Sequence, residues 1–478
     1  MQMIINGKKT DSSNGKTMNV INPATGKVID TVPVATKEDV DYAVDCAVAG
    51  QKVWGAVPLY KRGPIVEKYV ELVKAHKDEL ARMESEEVGK TIPEAANEIN
   101  NVIAFFTGFL EKAKHEYEES YPVGMEPNTE ERMQIVIREP VGVIACIIPY
   151  NFPVSLFTHK VAPALVAGNS VVVKPASDCP RTLIRLCELL VEAGFPDGTV
   201  NIITGKGSEV GAWLVGNGKL GSVSLTGSSA VGAKIAALAG QNITPVTLEL
   251  GGNDPFIVCD DADVDMAVNE AVLGRLVNAG QICVASKRFI IHNSVKEEFT
   301  RKLVEKVSAY IIGDPSDPKT QMGCLINEEA AKKVDRQVRM TVEQGARLLY
   351  GGERNGAFYT PTVLVDVTKD MDIMRDEEVF GPVFPIIGFD TVDEAVEIAN
   401  NTMYGLSSGV CSRDIGKAIK IARRIEAGTV VINGGGRLRS REMPFGGRKK
   451  SGIGAEGVSC TLREVTAPKN IILKNILK

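Results

Sequence analysis

Residues 141–177 read VGVIACIIPYNFPVSLFTHKVAPALVAGNSVVVKPAS, and this stretch decides the fold. It opens on VGVIACII, a β-rich run without polar alternation, and SVVVK at 170–174 repeats that character after a segment of helical spacing through 160–166. Strands that are apolar on both faces and joined by helices belong to a parallel sheet covered on both sides. Toward the C-terminus the alternation continues: a helix over 182–193, NIITG at 201–205, a helix after Glu209, SVSLTG at 222–227 and a helix after Ser229. VTLEL at 246–250 and PFIVCD at 255–260 close the series. The expectation is a doubly wound α/β domain.

Further on, a second set of alternations predicts a second α/β domain: RFIIHN at 288–293, a helix over 295–310, VFPIIGF at 383–389, TVDEAVEIAN at 391–400, SSGVCS at 407–412, a helix over 415–426 and TVVINGG at 429–435. Upstream, Ile65, Val66, Tyr69, Val70, Leu72, Val73, Leu80 and Met83 recur at helical spacing, which reads as scaffold helices. Residues 120–138 turn polar around Pro122, Gly124 and Pro127 before MQIVIRE alternates like a strand. The tail TAPKNIILKNILK is a strand without a local partner, expected to pair with that excursion or with another subunit. The predicted division is 1–118 with 140–248 as a first domain, 249–457 as a second, and 119–139 with 458–478 as a small β arm.

At 478 residues the chain has room for two to four domains at roughly 100 to 200 residues each. Its 55 Lys and Arg against 60 Asp and Glu give a net charge of −5, which supplies no basic excess for a nucleic-acid backbone. The opening MQMIINGKKT lacks the apolar core of a secretory signal. The longest apolar run, 141–150, falls short of the roughly 20 residues that span a membrane. A cytoplasmic protein without membrane or nucleic-acid partners is expected. Nine cysteines without a CxxC pair, and only four histidines, predict neither a disulfide framework nor a metal site.

Gly452, Gly454 and Gly457 spell G-x-G-x-x-G, yet only 21 residues follow, too few for the βαβ unit of a dinucleotide fingerprint. Gly227 to Gly232 resembles a P-loop, but Ala233 intervenes before Lys234 and the pattern fails. Ser228 and Ser229 follow a strand and open a helix, where free N–H groups bind phosphate; an ordinary serine cap is the alternative. Lys174 ends a buried strand, where ligands gather in open α/β sheets, or else is a solvated lysine before a turn. Cys283 in NAGQICVASKR precedes Lys287 and Arg288, a positively biased setting that lowers a thiol pKa; inert packing is the alternative. Glu249 ends an apolar strand, where burial raises a carboxylate toward general-base duty, unless it faces solvent.

LTGSSAVG, TLELGG, GQIC, EEVFGPV and PFGGRKKSG, in this order and spacing, closely resemble the aldehyde dehydrogenase superfamily, from the INGK opening to the final strand. The resemblance implies that Cys283 attacks the aldehyde carbonyl, with Asn151 of PYNFP and the Cys283 N–H as oxyanion hole. A hydride then passes to nicotinamide, Glu249 activates water against the thioester, and Glu456 relays protons. It places the cofactor on Ile147, Pro149, Tyr150, Lys174, Ala176, Ser177, Gly207, Gly211, Thr226, Gly227, Ser228, Val231, Leu250, Gly251, Glu378 and Phe380. Relatives that prefer NAD carry Glu where Ser177 stands, so the resemblance implies use of NADP beside NAD, with the adjacent Asp178 weakening the preference. The substrate tunnel maps to Phe152, Leu156, His159, Arg437, Arg439 and Phe445. The arginines of GGGRLRSRE, Arg441 included, suggest an anchor for a short anionic aldehyde such as succinic semialdehyde, unless they face solvent or a neighbouring subunit. Lactaldehyde or a CoA-acylating reaction are the alternatives, the latter disfavoured by Glu249. A homodimer or homotetramer is implied.

Overall fold

The computed structural model describes residues 1–116 and 118–474; residue 117 of the predicted first domain and the last four residues of the arm, 475–478, lie outside the described residues. The quoted stretch forms the centre of an eight-stranded sheet. Val143–Ile147 lies in the middle, Ser170–Lys174 and Val200–Ile202 follow on one side, and Ser222–Thr226 and Val246–Glu249 on the other, all parallel. Alternate residues of the central strands enter two separate cores, as the two-residue period of a strand requires. Ile144, Cys146, Val171 and Val173 pack under the helices Pro153–Ala167 and Arg181–Ala193. Val143, Ala145, Val172 and Val223 pack under Lys37–Gly55. The strand order reverses between Val143–Ile147 and Ser222–Thr226, and this switch point opens a crevice at the carboxyl ends of the strands.

PFIVCD departs from the expectation. Asp254–Val258 leaves the first sheet and lies inside a second one, parallel to Ser286–His292 and Gly409–Cys411. That seven-stranded sheet also holds Val383–Phe389, Thr362–Val365 and Val431–Ile432, and its antiparallel edge strand is Arg347–Tyr350. The glycine-rich segment near the C-terminus opens no βαβ unit. Gly452–Ile453 returns to the first sheet as an antiparallel edge beside Leu248 and Glu249, so the chain crosses between the two bodies after Val431–Ile432. The tail strand Thr466–Lys474 pairs with Arg132–Pro140 over its whole length, and Glu119–Tyr121 completes a three-stranded antiparallel arm. No helix of the described residues is long and apolar enough to cross a membrane.

Candidate active site

Between the two sheets lies a cleft of about 200 Å³ lined by Pro149, Tyr150, Asn151, Thr226, Gly227, Ser228, Leu250, Gly251, Cys283, Glu378 and Phe380. Segments far apart in sequence thus converge where the topology reverses. Lys333, which the sequence reading missed, also lines it, reaching in from the helix Glu328–Glu343.

Cys283 follows a turn that is costly to build. After the helix Val264–Leu276, residues Asn278, Ala279 and Gly280 take φ of 51°, 52° and 78° in succession. Left-handed non-glycine residues persist only where surrounding contacts over-determine them. Here Asn278 N donates to Glu94 Oε1 at 2.9 Å, Asn278 Nδ2 donates to Asn151 O at 2.7 Å, and Ile326 N donates to Gln281 Oε1 at 2.9 Å. A Cβ on Gly280 would stand 2.4 Å from Gly381 O, so the turn rests directly on the backbone beside Phe380.

Asn151 Nδ2 donates to Gln281 O at 3.0 Å, which uses one of its two N–H bonds and leaves the other for a ligand. The Asn151 carbonyl is held by Lys90 Nζ at 2.9 Å, and Lys90, wholly buried, is charge-balanced by Glu84 and Glu98.

The sequence reading assigned Lys287 and Arg288 to lowering the Cys283 thiol pKa, and the structure corrects this. Burial dominates and pushes the thiol up to about 12; the Lys287 and Arg439 charges pull it down, while Asp254 and Glu249 push it further up. Arg288 points away from the thiol and donates to the carbonyls of Asn253, Met374, Ile398 and Ala399, a structural role.

Glu249 is buried, and neither carboxylate oxygen has a hydrogen-bond partner. Burial, reinforced by the negative charge of Glu456, raises its pKa well above the carboxylate range. Glu456 is equally buried but receives Lys160 Nζ, with His159 Nδ1 at 3.3 Å, and these partners overcome the burial penalty and keep it ionised. Two neighbouring carboxyls are thus shifted in opposite directions, the arrangement that separates acid and base duties. Lys160 was missed, although a lysine in the otherwise apolar helix Pro153–Ala167 signals a buried counter-charge.

Of the tunnel residues, Phe152 caps that helix, and Leu156 and His159 follow at helical spacing. His159 packs against Phe105 with ring centres 4.4 Å apart and planes tilted by 45°, and burial lowers its pKa. Arg439 turns inward: its guanidinium lies 3.9 Å from the centre of the Phe445 ring and 3.4 Å from His159 Nδ1. Arg437 and Arg441 are exposed, so the predicted trio of arginines is reduced to one.

Among the predicted cofactor residues, Ser228 caps the helix Ser229–Gly240 by accepting from Val231 N at 3.4 Å, so the capping alternative holds, with the helix N-terminus still opening on the cleft. Thr226 Oγ1 is buried without a partner. A Cβ on Gly251 would lie 2.5 Å from Glu378 Oε2, so a side chain there would displace the Glu378 carboxylate. Val231 is exposed on the first turn of the same helix. Lys174 is buried at a strand end, its Nζ donating to Pro175 O at 2.7 Å and its pKa lowered to about 8 by burial. Ile147 ends the central strand, and Gly207 and Gly211 bound a single wide helical turn. Ala176 packs near Val88, Cys179 and Ile326. Ser177 stands apart, in a neighbouring cleft of about 690 Å³ together with Asp178, Lys206, Asn327 and Phe358.

The aldehyde dehydrogenase family model matches residues 9–471. A 3-sulfolactaldehyde dehydrogenase of Priestia aryabhattai is 39% identical over 456 residues, covering 95% of this chain and 94% of the relative. The NADP(+) succinate-semialdehyde dehydrogenase of Escherichia coli is 38% identical over 460 residues, with the same coverage. The betaine aldehyde dehydrogenase of Staphylococcus aureus, solved in complex with NAD+, superposes with a TM-score of 0.96 at 36% identity, covering 99% of this chain and 95% of that one. A half-buried thiol, an amide and two carboxyls with oppositely shifted pKa values agree with these matches, and the chain belongs to the aldehyde dehydrogenase family, oxidoreductases that act on an aldehyde group with NAD(P).

Proposed function

We propose that this enzyme oxidises a short anionic aldehyde to its acid, with NADP as the preferred cofactor, and that Arg439 binds the anionic end. The inward turn of Arg439 carries this reading. The guanidinium is stacked on Phe445, and its charge acts on Cys283 and Glu249, so an anion seated on it sets its aldehyde beside the thiol. The relatives named for 3-sulfolactaldehyde and succinate semialdehyde take substrates of this charge.

In this reading Cys283 Sγ attacks the carbonyl carbon, and the free N–H of Asn151, with the Cys283 N–H, stabilises the oxyanion. One such donor is worth roughly 10²–10³ in rate. Glu378 and Phe380 of the cleft wall would hold a nicotinamide, which would supply the hydride acceptor. Glu249 accepts a proton from the water that hydrolyses the Cys283 thioester, and Glu456, held ionised by Lys160, passes protons onward. The helix N-terminus at Ser229, the unpartnered Thr226 hydroxyl and the glycine wall at Gly251 suit a dinucleotide in the cleft.

For the adenosine end, Ser177 stands where a carboxylate would repel a 2′-phosphate. Its hydroxyl donates to Gly205 O at 3.0 Å, so Lys206 in the same cleft supplies the positive charge. Asp178 accepts from Asn327 Nδ2 at 3.0 Å. The residues 1–118 with 140–248 form the cofactor domain and 249–457 the catalytic one, except that Gly452–Ile453 is an edge strand of the first sheet. The arm presents Ile471, Ile472 and Leu473 to solvent for a second copy of the chain.

The test is the initial rate without CoA for succinic semialdehyde and 3-sulfolactaldehyde against butanal and lactaldehyde, with NADP and NAD in parallel. The anionic aldehydes should win by well over tenfold, an advantage that Arg439→Leu removes. Equal rates on neutral aldehydes, or an Arg439→Leu variant of unchanged preference, contradict the anchor. Activity that requires CoA contradicts the hydrolytic reading.

A further inference from the structure

Lys287 is buried to 1% exposure, yet the proposed chemistry leaves it unused. Its Nζ donates to Cys283 O at 2.6 Å and lies 3.3 Å from Glu378 Oε1. The same ammonium sits 6.0 Å from the centre of the Phe380 ring. Glu378 in turn accepts from Gly252 N at 3.2 Å, and both Glu378 and Phe380 line the cleft beside Cys283. Asp254 lies behind this group, buried, with Oδ1 accepting from Ser407 N at 3.2 Å and Oδ2 without a partner. A buried ammonium is retained only where its partners repay desolvation, and here the partners are the nucleophile's own backbone and a side chain of the cleft wall.

We propose that Lys287 is a positioning residue that couples the nucleophile to the occupancy of the cleft: one ammonium ties the Cys283 carbonyl to Glu378, so a cofactor that draws Glu378 toward itself shifts the charge and the backbone at Cys283. The inference rests on the reading of Cys283 as nucleophile and of Glu378 as part of the cofactor site. Four charged groups act on the thiol, namely Lys287, Asp254, Glu249 and Arg439, and Lys287 is the one bonded to its backbone.

The experiment is the rate of Cys283 alkylation by iodoacetamide against pH, followed by peptide mass analysis, with and without saturating NADP, in the full chain. In the wild type, NADP changes the rate. In Lys287→Met alkylation at a fixed pH slows about tenfold, and the effect of NADP disappears. Lys287→Gln keeps a donor but not the charge; it is alkylated as slowly and reads the same quantity should the Met variant fail to fold. Alkylation of Cys283 at the wild-type rate with an intact NADP effect in these variants overturns the proposal. Alkylation at another cysteine in the wild type overturns instead the assignment of the nucleophile on which it rests.

Discussion

Glu249 illustrates what a single residue's surroundings decide. Withdrawn from water, unbonded at both oxygens and facing the charge of Glu456, it keeps its proton above the ordinary carboxylate range. A general base must be ionised, so hydrolysis of the acyl-enzyme should rise with pH through that raised pKa rather than level off near the usual carboxylate value. Single-turnover release of the acid across pH checks this; a rate flat above the normal carboxylate range contradicts it. Cys283, Glu249 and Asn151 stand out in the sequence as candidates because their motifs are short and local. Their charge environment does not, because it is assembled from afar: Lys160 meets Glu456 across 296 positions and Lys90 meets Asn151 across 61. The same distance defeats any inference from neighbours. Lys287 and Arg288 are adjacent in sequence, but one touches the Cys283 backbone and the other is spent on four carbonyls.

At the scale of elements, the turn at 277–280 gives the thiol its place. Gly280→Ala puts a side chain at a φ of 78° and against Gly381 O, with neither able to yield cheaply. A loss of roughly 1–3 kcal/mol of stability is expected, together with a fall in kcat as Cys283 and Phe380 move apart. Thermal unfolding and kinetics of that variant measure both, and wild-type values in each would contradict the role given to the turn. Helices and buried strands were legible from period and composition. The assignment of PFIVCD to the first sheet was not secure on such grounds, because an apolar run reads identically in either sheet and only its partners, Ser286–His292 and Gly409–Cys411, place it. Gly452–Ile453 was invisible as a strand, being two residues long and defined by its neighbour Val246–Glu249 alone.

In the whole molecule, two α/β bodies meet over one cleft, and the arm pairs two distant segments into a sheet whose outer strand, Thr466–Lys474, shows Ile472 at 60% exposure. An apolar strand at a sheet edge invites a second chain. Ile472→Lys should lower the mass seen by light scattering toward that of one chain, and a mass unchanged from the wild type would place the contact elsewhere. The central claim, a thioester on Cys283 resolved by Glu249, is tested most directly in Glu249→Gln. Mixed with succinic semialdehyde and NADP, this variant should give a burst of about one reduced cofactor per site and then stall, leaving the acyl mass on the peptide that carries Cys283. A burst without an adduct on that peptide, or steady turnover at the wild-type rate, would contradict the account.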